Sequence, residues 1–202
     1  RVGGSPDIYT TMIKSLDAAV GNIMKALDEE QLSDHTIVIF TNDNGGEKYS
    51  DNGGLSQAKG SLWEGGIKML AFVRWPDKIK PGIVTQQAAI TMDWSKTILA
   101  VGGANENKGF PLDGINLMPI LRGEKKNIER TFYWRTFQRK KQKAIRVGDW
   151  KYLQNEKGEY LFHLVSDPGE KIDVKVQQGT IFKQLKKKYI KWEKMVLKPI
   201  PL

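Results

Sequence analysis

The chain has 202 residues, of which 40% are hydrophobic and 27% are charged, and its formal net charge is +9. This length allows one domain or one and a half, with enough apolar side chains for a core. Cysteine is absent, which excludes disulfide bonds and thiol chemistry within these residues. No stretch approaches the roughly 18 consecutive apolar residues of a membrane span, so none is expected.

The positive charge is concentrated in the second part of the chain. Residues 1–121 carry a net charge of −3, whereas residues 122–202 carry +12. A basic field of this size attracts nucleic acid, an anionic polysaccharide or a membrane surface, or it is simply a solvated helix face. Nucleic acid is not an expected partner, because the predicted C-terminal helix places its aromatic side chains opposite its lysines, where they cannot stack on bases.

The first part of the chain shows an α/β pattern. Ser5-Pro6-Asp7 predicts a helix start, and apolar residues at spacings of three and four then predict a helix of about 24 residues. The apolar run from Ile37 to Phe40 predicts a strand covered on both faces, as in a parallel sheet flanked by helices. A second apolar run over residues 69–73 predicts another strand, and a helix capped by Thr91 or Asp93 follows it.

After residue 122 the pattern changes to short strands joined by turns. Four runs between residues 131 and 164 predict a small antiparallel sheet, because they are separated by turns such as Gly148-Asp149. A final helix, from about Gly179 to Leu197, places its aromatic residues on one face and lysines on the rest. The predicted domains are therefore an α/β portion, 1–122, and a small α+β portion, 123–202.

The strand predicted to end at Phe40 leads into Asp43-Asn44-Gly45-Gly46. Ligands collect at the carboxyl ends of strands in sheets of this type. Asp43 and Asn44 offer the hard oxygen donors that Ca²⁺ or Mg²⁺ prefers, and the glycines allow the backbone to turn beside a bound group. Asp-Asn-Gly is also an ordinary turn sequence, so these residues alone leave both interpretations open.

The order of the motifs along the chain favours the functional interpretation. A short Gly-rich loop follows Asp43-Asn44-Gly45-Gly46, and then come Lys59-Gly60, Glu64-Gly65-Gly66, an apolar strand and Arg74-Trp75-Pro76. In this order the motifs closely resemble the formylglycine-dependent (type I) sulfatases, an arylsulfatase family of the alkaline-phosphatase-like superfamily. The resemblance covers most of the chain, and it continues to the motifs Gly148-Asp149-Trp150-Lys151 and Asp167-Pro168-Gly169-Glu170.

The resemblance implies an α/β fold: the C-terminal part of an alkaline-phosphatase-like sandwich, followed by the small antiparallel sheet and the C-terminal helix. In this family the first helix packs on the central sheet, so its Met and Leu residues are expected in the core. Asp43 and Asn44 match two ligands of the family's metal ion, Ca²⁺ or Mg²⁺. Lys59 matches the lysine that contacts the substrate sulfate, which makes it the expected catalytic and substrate-binding residue. Glu64 is expected to brace the turn at Gly65-Gly66.

The resemblance also implies machinery that these residues do not contain. They include no Cys-x-Pro-x-Arg or Ser-x-Pro-x-Arg sequence, the site that this family oxidises to formylglycine. The family places this nucleophile in an N-terminal portion, so the chain is interpreted as the C-terminal portion of a sulfatase and is expected to be inactive alone. Expected partners are a sulfated small molecule or a sulfated glycan, with self-association or pairing with the N-terminal portion. A periplasmic, secreted or lysosomal location is expected from the family.

Two alternatives remain open at this stage. A phosphatase or phosphonate-ester hydrolase of the same superfamily often has Asp-His-Gly where this chain has Asp43-Asn44-Gly45, so Asn44 favours the sulfatase. A non-catalytic polyanion-binding module would depend on the lysines of residues 183–194 instead, and Lys59 would be irrelevant to it.

Overall fold

The computed structural model describes residues 4–137 and 141–197. None of the helices within these ranges is both long enough and apolar enough to cross a membrane. The predicted first and last helices, the two early strands and the four later strands are confirmed. The elements, in chain order, are α1 (Pro6–Glu29), β1 (Val38–Thr41), α2 (Glu64–Ile67), β2 (Ala71–Arg74), α3 (Met92–Val101), α4 (Met118–Leu121), β3 (Thr131–Thr136), β4 (Gln142–Val147), β5 (Trp150–Asn155), β6 (Gly158–His163) and α5 (Gly179–Met195).

The chain forms two compact units. The first comprises the residues up to Asp43 together with Leu70–Ile128, and the second comprises Asn44–Met69 together with the residues from Glu129 onward. The division into domains 1–122 and 123–202, which follows the change to short strands and turns after residue 122, stays a prediction. The units differ from it in two respects: residues 44–69 pack with the second unit, and residues 123–128 belong to the first.

The first unit has less core than the sequence predicts. Strand β1 pairs antiparallel with β2, so the predicted parallel arrangement is wrong, and the residues of β1 are half-buried or exposed. Helix α1 has no buried residue, and Met12 is 65% exposed. The expectation that its Met and Leu residues lie in the core is therefore wrong for this chain. A two-stranded sheet offers too little apolar surface to cover a helix of 24 residues.

Buried polar contacts of the first unit surround Asp93, at the start of α3. The Asp93 carboxylate accepts the backbone N–H groups of Ile90 and Ile115, each at 2.8 Å. The Thr97 hydroxyl donates to the Asp93 carbonyl at 2.7 Å and accepts the N–H of Leu117 at 2.9 Å. These bonds satisfy buried groups and tie α3 to the segment that precedes α4.

The second unit is built in three layers around a four-stranded antiparallel sheet, ordered β3-β4-β5-β6. Successive residues of a strand point to opposite faces, so Tyr152 and Leu153 enter different layers. On one face, α5 packs against the sheet through Ile145, Tyr152, Leu161, Leu185 and Tyr189. On the other face, the segment around α2 packs through Leu62, Ala144, Leu153, Phe162 and Leu164.

A carboxylate at the start of β6 ties the sheet to α5. Glu159 accepts the Tyr152 hydroxyl at 2.7 Å and the Lys186 ammonium at 2.8 Å. Burial alone would raise the pKa of Glu159, but the hydrogen bonds from Lys186 and Tyr152, with the charges of Lys186 and Lys175, outweigh it. The pKa of Glu159 therefore lies below its usual value in the folded chain.

This lowered pKa predicts that Glu159 stabilises the second unit near neutral pH and not in acid. Stabilisation by a carboxylate of this kind is present above its unfolded pKa and is lost as the pH falls through its folded pKa. Replacing Glu159→Gln should lower the free energy of unfolding by at most about 1 kcal/mol at neutral pH, the range of partly exposed ion pairs. Urea denaturation should show the difference from wild type shrinking as the solution is acidified.

Glu156→Gln is the matched control, because this exposed residue lies in the turn of the same hairpin. It removes the same charge without those hydrogen bonds, so it should leave the urea midpoint nearly unchanged. A loss for Glu159→Gln that persists undiminished in acid would contradict the assigned role.

Candidate active site

Asp43 and Asn44 lie just beyond the carboxyl end of β1, as the sequence predicts. Strand β1 ends at Thr41, Asp43 is exposed and Asn44 is half-buried. Among the described residues, no hydrogen bond or ion pair uses the Asp43 carboxylate or the Asn44 side-chain amide. Their oxygens are therefore available to a cation, and they are of the kind that Ca²⁺ and Mg²⁺ prefer.

Lys59 lies against the loop that begins at Asn44. The backbone N–H of Lys59 donates to the carbonyl of Gly46 at 3.0 Å, and the N–H of Gly45 donates to the carbonyl of Gly66 at 2.9 Å. These bonds join the two Gly-rich segments within the second unit. The Lys59 side chain is exposed and forms no ion pair within residues 4–137 and 141–197, so its ammonium is available to an external anion.

The Gly-rich segments approach each other more closely than larger residues permit. A Cβ atom on Gly45 would lie 2.0 Å from the carbonyl oxygen of Gly65. A Cβ atom on Gly65 would lie 2.4 Å from the carbonyl oxygen of Ser56. Both obstacles are backbone atoms, which cannot rotate away, so the loop geometry depends on glycine at these two positions.

The sheet of the second unit supports the segment that carries Lys59. The backbone N–H of Leu62 donates to Oε1 of Gln142, on β4, at 2.7 Å. The ring of Trp63 packs on Phe162, with the ring centroids 5.2 Å apart. The residues that follow Lys59 in sequence are thus held against the sheet by apolar burial and by one directed hydrogen bond.

Three charged side chains, Glu64, Lys151 and Glu170, are buried together beneath this segment, and we name them the Lys151 cluster. Their exposure is 3%, 0% and 3%. The Lys151 Nζ lies 2.8 Å from Oε1 of Glu64 and 2.8 Å from Oε1 of Glu170, and the Glu64 N–H donates to Oε2 of Glu170 at 2.6 Å. Burial raises the pKa of Glu170 above its usual range, against the opposing effect of the Lys151 ammonium.

The Lys151 cluster contains one residue with a predicted role and two that sequence reasoning missed. The Glu64 side chain accepts a hydrogen bond from Lys151 at 2.8 Å, and its bracing of the turn at Gly65-Gly66 stays a prediction. Lys151 and Glu170 had no predicted role, although both lie in motifs that carry the resemblance. The sequence contained a feature that points to Lys151. It lies two residues before the core residue Leu153, so both side chains point to the same face of β5, where an apolar side chain is usual.

The structure brings some of the predicted site residues together. Asn44 and Lys59 lie in neighbouring segments of the second unit, whereas Asp43 is the last residue before the chain enters that unit. Within the described ranges, no group of three or more His, Asp or Glu side chains could hold a metal ion. The side-chain oxygens of Asp43 and Asn44 are suitable ligands for Ca²⁺ or Mg²⁺, but they would form only part of a larger set of ligands.

Comparison with known proteins agrees with the resemblance. Residues 5–104 match the family model described as Sulfatase, and residues 57–195 match the model described as N-sulphoglucosamine sulphohydrolase, C-terminal. The chain belongs to the sulfatase family. It corresponds to a C-terminal portion of that family, whose members are generally metal-dependent.

Individual sulfatases match over a limited part of their length. Steryl-sulfatase of Mus musculus is 34% identical over 134 residues, which are 61% of this chain and 22% of that protein. Arylsulfatase A of Homo sapiens is 37% identical over 139 residues, 66% of this chain and 27% of that protein. This sulfatase chain therefore spans about a quarter of the length of these relatives.

A solved structure matches nearly the whole chain. The crystal structure of Ps i-CgsB in complex with k-i-k-neocarrahexaose superposes with a TM-score of 0.84 at 27% identity, over 95% of this chain and 44% of that one. The predicted fold class is therefore confirmed: an alkaline-phosphatase-like α/β portion followed by the antiparallel sheet and the C-terminal helix.

The close approach of the Gly-rich segments predicts that Gly65→Ala destabilises the second unit of this chain. The added methyl group must displace backbone at Ser56, and overpacking of this kind costs about 1 to 3 kcal/mol. Urea denaturation followed by tryptophan fluorescence should show the loss. Gly179→Ala is the control in the same unit, because a Cβ there has no atom within 4 Å. Equal midpoints for the two variants would contradict the packing described here.

Proposed function

We propose that the whole protein is a sulfatase that hydrolyses an aryl or carbohydrate sulfate ester, and that this chain supplies two metal ligands and the lysine that contacts the sulfate. The observation that carries the proposal is the backbone network joining Lys59 to the loop that begins at Asn44. The names of the relatives support the reaction class. The sugar ligand named with Ps i-CgsB supports a sulfated glycan as one substrate class.

Lys59 has the chemistry that sulfate recognition requires. Cleavage of a sulfate ester places negative charge on the sulfuryl oxygens and on the leaving alcohol. A lysine ammonium is a compact point charge suited to one of those oxygens. The backbone hydrogen bond to Gly46 fixes the point from which the Lys59 side chain extends, and charge placed near the reacting group is typically the largest contribution to such catalysis.

Asp43 and Asn44 are the proposed metal ligands of this chain. A bound Ca²⁺ or Mg²⁺ would supply a second positive charge that polarises a sulfuryl oxygen. The proposed nucleophile is a formylglycine, which the 202 residues cannot supply because they contain neither Cys nor a Ser-x-Pro-x-Arg sequence. The chain alone is therefore expected to lack sulfatase activity. A periplasmic, secreted or lysosomal location is proposed from the family.

The first unit is proposed to pair with further protein surface, either a second copy or the rest of a sulfatase domain. The apolar stripe of α1 supports this, because Ile8 and Ile23 are 51% and 58% exposed. On β2, Phe72 is 60% exposed. Exposed apolar side chains along one stripe of a helix are typical of a surface that another protein segment covers.

Replacing Lys59→Ala in the whole protein should lower kcat/KM for a sulfate ester by about 10² to 10³, the usual effect of removing one preorganised charge or donor. The side chain makes no ion pair within the described residues, so the melting temperature should stay the same. Steady-state kinetics and thermal melts on the purified variant measure both quantities.

The double variant Lys187→Gln/Lys191→Gln is the control, because it neutralises two exposed lysines of α5. It should leave sulfatase kinetics unchanged. The alternative function, a polyanion-binding module, predicts the reverse: loss of heparin binding in the α5 variant and no effect of Lys59→Ala on any readout.

The metal assignment predicts that Asp43→Ala and Asn44→Ala raise the concentration of Ca²⁺ or Mg²⁺ needed for half-maximal activity of the whole protein. Titration calorimetry on the 202-residue chain should show only weak binding, because two ligands are far short of the 6 to 8 oxygens that Ca²⁺ prefers. Asp51→Ala, a change in an exposed loop carboxylate, is the control. An unchanged metal requirement in both Asp43 and Asn44 variants would remove the assignment.

A further inference from the structure

We infer that Lys151 is a positioning residue of the active site: through Glu64 and Glu170 it fixes the segment that carries Lys59 and the loop that begins at Asn44. The expected effect of Lys151 on catalysis rests on the proposed function. Its expected effect on the structure of residues 44–66 does not. Lys151 is fully buried, so it acts through other residues and not on the substrate.

The first link joins the cluster to a rigid platform. Lys151 lies on β5, which is paired on both sides, with β4 and with β6. Its ammonium lies 2.8 Å from a carboxylate oxygen of Glu64 and 2.8 Å from one of Glu170. Both carboxylates are buried, and a buried carboxylate without a partner is strongly destabilising. Lys151 therefore determines where both glutamates lie.

The second link runs from Glu170 to both ends of the segment that carries Lys59. At one end, the hydroxyl of Ser56 donates to the carbonyl of Gly169 at 2.7 Å. At the other end, the N–H of Glu64 donates to the Glu170 carboxylate at 2.6 Å. The N–H of Gly65 also donates to the carbonyl of Ser56 at 2.9 Å, which closes the segment into a loop. Lys59 thus lies in a loop that is held at its two ends.

The third link reaches the candidate site itself. The loop held by the Lys151 cluster ends at Gly66, whose carbonyl accepts the N–H of Gly45, and it contains Lys59, whose N–H donates to Gly46. The hydrogen bond from Lys151 to Glu64, the chain from Glu64 to Gly66 and the hydrogen bond from Gly45 to Gly66 therefore connect β5 to the residues beside Asn44. A shift of the cluster changes the position of both Lys59 and the loop that follows Asp43.

The chemistry of the cluster suits positioning better than net stabilisation. Apolar groups of similar volume often replace a buried ion cluster without loss of stability, because the cost of desolvating the charges offsets their attraction. Leu62 and Trp63 already bury apolar surface on the sheet, but apolar contacts are not directional. Charge-assisted hydrogen bonds are directional, so the cluster fixes the register of the segment on the sheet.

The test removes the charges of the cluster and leaves the Lys59 side chain intact. The variant Glu64→Gln/Lys151→Met/Glu170→Gln in the whole protein is free of charge and similar in volume. Hydrogen exchange, measured by mass spectrometry on peptides that cover residues 44–66, should become faster. The value of kcat/KM should fall by about 10²-fold, the effect of small displacements at a catalytic group.

The control is Lys143→Met/Glu193→Gln, which removes an ion pair of 2.8 Å between β4 and α5 in the same unit. It should not change exchange over residues 44–66. Normal exchange there in the cluster variant, or equal acceleration in the control, overturns the inference.

A double-mutant cycle separates positioning from a general loss of stability. Lys59→Ala is made in the wild-type and in the cluster variant, and kcat/KM is compared. If the cluster acts through Lys59, the fold-loss from Lys59→Ala should be much smaller in the cluster variant. An equal fold-loss in both backgrounds overturns the inference. If Lys59→Ala has no effect on kcat/KM in the wild-type background, the proposed function is wrong. The positioning role of Lys151 is then tested by hydrogen exchange over residues 44–66 alone.

A milder variant decides the question if the cluster variant does not fold. Ser56→Ala removes one half-buried hydroxyl and with it the bond to Gly169. Exchange at residues 56–66 should become faster by a smaller factor, with a parallel decrease in kcat/KM. Unchanged exchange in this variant overturns the inference.

Discussion

The ammonium group of Lys151, held between two buried carboxylates, is the interaction on which the second unit depends. Removing the Lys151 charge alone would leave two buried carboxylates without a cationic partner. The arrangement of the three charges therefore constrains a strand of the sheet, the turn at Gly65-Gly66 and the backbone around Glu170 at the same time. The small antiparallel sheet supports the candidate site and is more than an addition to the end of the chain.

The two faces of that sheet pack against different parts of the chain. One face is covered by α5 through large aromatic and aliphatic side chains, and Glu159 ties the two together. The other face holds the segment around α2 with a smaller apolar cluster, Gln142 and the Lys151 cluster. The basic charge of this part of the chain is thus partly structural, since Lys151, Lys143 and Lys186 are paired with glutamates, while Lys187 and Lys191 face solvent.

Local sequence patterns predicted the helices and hairpins whose formation depends on residues close together in the sequence. The hairpins β3 to β6 follow from short runs and turns, and α1 follows from its cap and spacing. An apolar run does not show which surface covers it, so both the parallel arrangement of β1 and the burial of α1 within these residues were wrong. The Lys151 cluster was missed because Glu64 lies 87 residues from Lys151 and 106 from Glu170. Asp43, Asn44 and Lys59 were chosen by resemblance, since a turn sequence and an exposed lysine have no distinguishing physical pattern.

Placing residues 44–69 in the second unit has a consequence for biosynthesis. The segment is translated before the glutamate that holds it, since Glu170 follows Glu64 by 106 residues. At translation rates of about 5 to 20 residues per second, Glu170 leaves the ribosome roughly 5 to 20 s after Glu64. Until β4, β5, β6 and Glu170 have been translated, the nascent segment cannot complete its packing. Lys59 therefore reaches its final position only after Glu170 has been translated.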